Sequence, residues 1–186
     1  MAEAVAAPAL GRLVVVGLGL IGGSFAKGLR DKGLFREVIG VDLDPESRRM
    51  AVELGVVDRC EEDLAAACVG ADVIQLAVPI LAMQKLLGAL AQLPLGDAVL
   101  TDVGSAKGNV VRAAALAFGG VPPRFVPGHP IAGSEQSGVE ASNGQLFRRH
   151  KVILTPLADT DGAALQMVDR LWRELGADVE HMDVEH

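Results

Sequence analysis

One histidine in this chain sits in a setting suited to chemistry. The stretch Gly128-His129-Pro130-Ile131-Ala132-Gly133-Ser134-Glu135 presents an imidazole in backbone stiffened by proline and opened by glycines. Neutral imidazole, with an ordinary pKa near about 6.5, accepts a proton under physiological conditions, so His129 is a candidate general base. A second cluster lies upstream, where the apolar run Leu13 to Val16 feeds Gly17-Leu18-Gly19-Leu20-Ile21-Gly22. Such glycines do three things: Gly17 permits a tight turn, Gly19 lets a pyrophosphate approach the backbone, and Gly22 lets the following helix sit against the strand. Asp42 closes the next strand-like run 20 residues after Gly22. Together these residues form a dinucleotide cradle, with the helix amides that begin at Leu20 and Ile21 facing phosphates and Asp42 accepting from the adenosine ribose. A carboxylate there repels a 2′-phosphate, so NAD is expected as the cofactor and NADP is less favoured. Arg48 and Arg49 are the cations that could hold a 2′-phosphate by folding inward. A cofactor cradle followed by a base suggests a dehydrogenase.

Later strand ends should also border the cofactor, because ligands of open α/β sheets lie beyond the carboxyl ends of the strands. Ala77-Val78-Pro79 and Thr101-Asp102-Val103-Gly104-Ser105 are those ends. Val78 and Pro79 could equally be strand-to-helix packing. Ser105 could cap a helix that begins at Ala106 and still lie on the rim of the site. Lys107 reads as a surface lysine more readily than as a group reaching an anionic substrate. His150, His181 and His186 have no partner at useful spacing and read as surface histidines.

The elements that position these groups follow from period and punctuation. Strands are expected at Arg12 to Val16, Val38 to Asp42, Asp72 to Val78, Ala98 to Asp102, Phe125 and Val126, Val152 to Leu154, and near Val179. Helix-like segments alternate with them: Ile21 to Arg30, Pro45 to Leu54 behind an Asp44 cap, Asp63 to Val69, Pro79 to Leu90, Ser105 to Phe118, and Ala163 to Leu175. Small residues Gly22, Gly23, Ala26 and Gly28 should let the first helix pack close to the sheet. The alternation is a βαβ series, and the expected fold is α/β, a Rossmann-type doubly wound and mostly parallel sheet. Residues 1–10 are expected as a tail and 11–182 as the NAD-binding domain.

Composition agrees and narrows the class. Half of the 186 residues are hydrophobic while only 3% are aromatic, so the core must be built from Val, Leu, Ile and Ala, the palette of a sheet buried on both faces. A net charge of −7 without a Lys/Arg run argues against nucleic acid or a membrane surface as partner. Cys60 and Cys68 have no histidine at metal spacing, so no metal site is expected and both read as reduced, buried thiols. The first ten residues lack a positive leader, and no apolar run reaches the ~20 residues of a membrane span, so a cytoplasmic protein is expected.

With these pieces assembled, the chain resembles the prephenate dehydrogenases, NAD(P)-linked enzymes of tyrosine biosynthesis that include arogenate and cyclohexadienyl dehydrogenases. The resemblance rests on VVVGLGLIGGSFAKGL at 14–29, TDVGSAKG at 101–108, GHPIAGSEQSGVEAS at 128–142 and KVILTP at 151–156. It implies that His129 is the catalytic histidine binding the ring hydroxyl of the substrate, that Ser105 helps place that hydroxyl and the nicotinamide, and that Glu135 lies near the pocket mouth. As a plain residue Glu135 could also be a solvated loop acid. The implied reaction is oxidative decarboxylation of prephenate to 4-hydroxyphenylpyruvate; arogenate or another small acid, or a non-catalytic NAD-binding module, are the alternatives. The family continues into a helical second domain that forms a homodimer and supplies basic groups for the carboxylates. That domain is expected to be absent here, 183–186 being the start of the connection to it. Arg148 and Arg149 are the candidates left for the carboxylates.

Overall fold

A strand covered by helices on both sides must be apolar on both faces, and β1, Leu10–Val16, meets that condition. Leu13 and Val15 enter one core cluster while Val14 and Val16 enter the other. The computed structural model describes residues 10–133 and 135–183. The first nine residues, Ser134 and residues 184–186 with His186 lie outside the described residues. Leu10, expected in the tail, pairs with Phe35 as the first residue of β1.

From β1 the chain passes through the glycine loop into α1, Leu20–Lys32, which Gly33 ends in left-handed conformation at φ 66°. β2 (Phe35–Val41), α2 (Pro45–Glu53), β3 (Arg59–Glu61), α3 (Leu64–Cys68) and β4 (Val73–Leu76) follow. α4 (Ile80–Leu90), β5 (Val99–Asp102), α5 (Lys107–Phe118) and β6 (Phe125–Val126) complete the first layer set. The six strands lie in the order β3-β2-β1-β4-β5-β6, all parallel. This is the Rossmann-type doubly wound sheet, and its order reverses between β1 and β4, where such folds bind ligands.

After Val126 the chain builds a second sheet. β7 (Gly128–Pro130) runs antiparallel to β8 (Lys151–Leu154), which lies parallel to β9 (Asp178–His181) beyond α6 (Gly162–Glu174). Phe25 of α1, Trp172 of α6 and Phe147 meet behind it, with ring centroids 4.9 Å apart in each of the two pairs. Scarce aromatic residues are thus concentrated where α1, α6 and the second sheet join.

Capping follows local chemistry. Asp44 accepts from the amides of Glu46 and Ser47 ahead of Pro45, and Asp63 does the same for α3. Two strands among the described residues have no counterpart in the sequence reading: β3, three residues without apolar alternation, and β7, whose Gly-His-Pro carries no strand propensity. Both exist because a neighbour's edge supplies their hydrogen bonds. The small residues of α1 also divide their work differently. Gly22 faces the sheet, whereas Gly23 meets Ser142, and Gly28 lies against Gly144, whose carbonyl oxygen would be 3.0 Å from an added Cβ. Among the described residues no helix is long and apolar enough to cross a membrane, and no cluster of three metal-ligating side chains occurs.

Candidate active site

The glycine loop fills the turn between β1 and α1. Gly17 takes φ 97°, a conformation strained for any other residue, and its amide donates to Val41 O at 2.8 Å. A Cβ on Gly17 would lie 2.7 Å from the carbonyl carbon of Ala77, and one on Gly22 would lie 2.9 Å from Ala77 Cβ. These two glycines let the loop press against the end of β4. Gly19 is different: it is exposed, it caps α1 with φ −82° and ψ −163°, and a Cβ there would meet nothing within 4 Å. α1 has no side-chain cap and no acid in its first turn. Its first amides, at Leu20, Ile21 and Gly22, therefore have no side-chain cap, and with the positive end of the helix dipole behind them and open space beside Gly19 they suit a pyrophosphate.

Asp42 lies directly after β2, half-buried beside this loop. Its Oδ2 accepts from Leu18 N at 2.8 Å and its Oδ1 from Asp44 N at 2.9 Å. A carboxylate has about four acceptor sites, so two remain for ribose hydroxyls. The neighbouring cations are engaged. Arg48 donates to Asp42 O at 2.7 Å and to Glu62 at 2.9 Å, while Arg49 is held along α2 by Glu46 and Glu53. Neither is poised as a 2′-phosphate cradle, which fits NAD better than NADP.

Ala77, Val78 and Pro79 lie at the end of β4, across the switch point from the glycine loop. Ala77 N donates to Val16 O at 2.7 Å, and Val78 packs on the apolar cluster behind the sheet. Beyond β5 the structure departs from expectation. Asp102 was expected among groups facing the cofactor, yet its side chain is wholly buried and turned inward. It pairs with Lys107, and it accepts from Gly104 N at 2.9 Å and Gly128 N at 3.1 Å. Lys107, expected at the surface, is only 8% exposed, and its ammonium also donates to Gly128 O at 2.6 Å. Burial pushes the Asp102 carboxyl up and the Lys107 ammonium down, and the contact between them opposes both shifts. A cation in the first turn of a helix opposes the dipole, and that signal could have flagged Lys107 as specifically partnered.

Ser105 is exposed in the β5–α5 loop and does not cap the helix. Ala106 occupies the cap position without a side-chain bond, and α5 begins at Lys107. The hydroxyl thus remains on the rim. His129 is the middle residue of β7, opposite Ile153 of β8. Gly128 seats this strand against β5, since a Cβ on it would be 3.1 Å from Asp102 O. The His129 imidazole is half-buried, and burial, with the nearby Lys107 charge, lowers its pKa below the ordinary 6.5 while Asp102 opposes. These surroundings favour the neutral imidazole over the charged one. Glu135 is exposed in the loop that follows. That loop returns to α1, where Asn143 N donates to Ser24 Oγ at 2.9 Å.

The other candidates stand apart. Arg148 lines a groove with Gly28, Asp31, Lys32 and Arg173, against the half of α1 farther from the glycine loop. Arg149 takes φ 64° and donates its amide to Gly176 O at 2.8 Å. His181, expected to lack a partner, pairs with Asp169 at 2.9 Å. Cys68 is buried and its thiol is pushed up to about 11, and Cys60 is half-buried with its thiol also raised.

A glycine loop at the switch point of a 3-2-1-4-5-6 sheet, an acid at the end of β2 and a half-buried histidine beyond β5 define a dinucleotide-binding domain of the dehydrogenase type. Residues 25–181 match the family model described as prephenate dehydrogenase, nucleotide-binding domain, and the chain belongs to that family. It is 33% identical to the cyclohexadienyl dehydrogenase of Zymomonas mobilis over 94% of this chain and 59% of that protein. Prephenate dehydrogenase of Aquifex aeolicus, solved in complex with hydroxyphenyl propionate and NAD+, superposes with TM-score 0.85 at 40% identity, over 95% of this chain and 60% of that one. Synechocystis arogenate dehydrogenase matches with TM-score 0.82 at 32% identity, over 92% and 59%. The chain thus spans about three fifths of these relatives. The part of the family that this chain matches is the nucleotide-binding domain, and the nucleotide held by the Aquifex enzyme is NAD+.

Proposed function

We propose that this chain carries the cofactor-binding and base-bearing part of an NAD-dependent prephenate dehydrogenase, converting prephenate to 4-hydroxyphenylpyruvate in tyrosine biosynthesis. The observation that carries this reading is a neutral-biased His129 on a strand seated against the carboxyl end of β5, the end of the sheet that also bears the glycine loop. Gly17, Gly19, Leu20, Ile21 and Gly22 receive the pyrophosphate, Asp42 the adenosine ribose, and Ala77, Val78 and Pro79 form the wall across the switch point. NAD, when bound, supplies the acceptor for the hydrogen leaving the hydroxyl-bearing carbon. His129 takes the hydroxyl proton as that carbon becomes a carbonyl, Ser105 orients the hydroxyl from the rim, and loss of the ring carboxylate as carbon dioxide yields the aromatic product. Glu135 stands at the pocket mouth. Arogenate is the second reading for the same site, favoured by the likeness to the Synechocystis enzyme. The reading places the whole protein in the cytoplasm as a homodimer built through a helical domain, which also supplies groups for the substrate carboxylates.

The test is to follow reduced-cofactor absorbance with NAD and either prephenate or arogenate, for the native chain and His129→Asn. Turnover should fall by about 10²–10⁴ in the variant while NAD affinity stays within twofold. Equal losses of turnover and affinity would make His129 structural, and tight NAD binding without turnover of either acid, even with the helical domain supplied, would favour a non-catalytic module.

A further inference from the structure

Asp102 and Lys107 form a buried ion pair for which the catalytic scheme has no use. Their bonds converge on one place: Gly128 N donates to Asp102 Oδ1 at 3.1 Å, and Lys107 Nζ donates to Gly128 O at 2.6 Å. Both peptide groups flanking Gly128 are thereby gripped, and the next residue is His129. We propose that the Asp102–Lys107 pair is the positioning device of His129, clamping the peptides ahead of it so that the imidazole keeps one place and one charge environment beside the cofactor cleft.

Three features support a device rather than incidental packing. A buried ion pair rarely stabilises a fold more than apolar residues of the same volume would, so its presence calls for another role. The pair joins the end of β5, the start of α5 and β7, the elements that carry Ser105 and His129, and Gly104 N at 2.9 Å ties in the loop between them. Among the described residues, the charged groups acting on the imidazole are Lys107 from α5 and Asp102 from β5. On β8 the residue opposite is Ile153, and Lys151 of that strand pairs with Glu180 of β9. The Lys107 ammonium favours neutral imidazole, the form that accepts a proton.

The inference rests on His129 being the base, but its test does not. The imidazole of His129 is titrated by NMR in the native chain, in Lys107→Met and in the double variant Asp102→Asn with Lys107→Met, which leaves no unpaired buried charge should the single variant fail to fold. Lys107→Met should raise the His129 midpoint on the order of one pH unit. The double variant should move it the same way by less, and should speed amide exchange at Gly128 at least tenfold relative to the native chain, where that amide should be protected. A His129 midpoint unmoved in the folded variants, or a Gly128 amide in the native chain exchanging as fast as exposed loops, overturns the proposal. Lower melting temperature with an unmoved titration would mean the pair is structural only. NADH affinity, followed in parallel, should hold within twofold in all three proteins. Its absence in the native chain would count against the cofactor reading while leaving the clamp result intact.

Discussion

The three glycines of the loop serve different purposes, and each can be tested against its own surroundings. Replacing Gly17 with alanine places a side chain at φ 97°, which costs about 1–2 kcal/mol, and drives a Cβ to 2.7 Å from the Ala77 carbonyl carbon. Backbone cannot swing aside as a flexible side chain can, so overpacking adds about 1–3 kcal/mol. Gly22→Ala gains roughly 1 kcal/mol of helix propensity but meets Ala77 Cβ at 2.9 Å and Gly17 O more closely still, and should be destabilising overall. Gly19→Ala has no such conflict. Its φ of −82° suits any residue and its Cβ meets nothing within 4 Å, so the fold should keep its stability or gain about 0.4–1 kcal/mol from the stiffer unfolded chain. The same Cβ would stand where the pyrophosphate approaches, and a clash worth about 1–3 kcal/mol lowers NAD affinity roughly 5- to 150-fold. Urea denaturation and NADH fluorescence titration separate the two effects. The reasoning fails if Gly19→Ala binds NADH like the native chain, or if it unfolds as readily as Gly17→Ala.

Other consequences can be checked on the same protein. Asp42→Asn replaces one acceptor oxygen beside the ribose by a donor and removes the negative charge, and should lower NADH affinity while raising that for NADPH; no change in their ratio would refute the assignment. Because the folded state lowers the His129 pKa below 6.5, the unfolded chain binds more protons just under that value, so this residue's contribution to stability is present above about pH 6.5 and lost as pH falls through the folded pKa. Urea midpoints of the native chain should therefore drop between pH 7 and 5 more steeply than those of His129→Asn, and a parallel decline would refute it. Trp172→Ala, at a side chain with no exposure wedged between Phe25 and Phe147, should cost about 3–5 kcal/mol in urea denaturation. Trp172→Phe should cost much less, since Trp172 Nε1 is buried without a hydrogen-bond partner among the described residues and its removal relieves that cost.

What local pattern could express, the sequence expressed well. Apolar runs bounded by glycine and proline located β1, β2, β4, β5 and the helices between them within a few residues, since each is decided by its own periodicity and caps. Gly17, Gly22 and Asp42 were legible for the same reason: turn, close packing and strand-end acid are short-range requirements. Ser105 was legible as a rim residue though its freedom from the cap was not, and Lys107 was not legible at all. A serine ahead of a helix also reads as a cap and a lysine near a helix start reads as solvated, unless one knows what lies across the gap.

The sequence by itself determined the parallel sheet, the cradle and the presence of one histidine fit to act as a base. Only the tertiary structure decided where that histidine stands and what surrounds it. Its strand has almost no intrinsic propensity and forms because β8 pairs with it and because Asp102 and Lys107, 26 and 21 residues away along the chain, close on Gly128. Desolvation depends on what packs around a group and the field of a buried ion pair on inverse distance in space, and no spacing along a chain encodes either until the chain has folded.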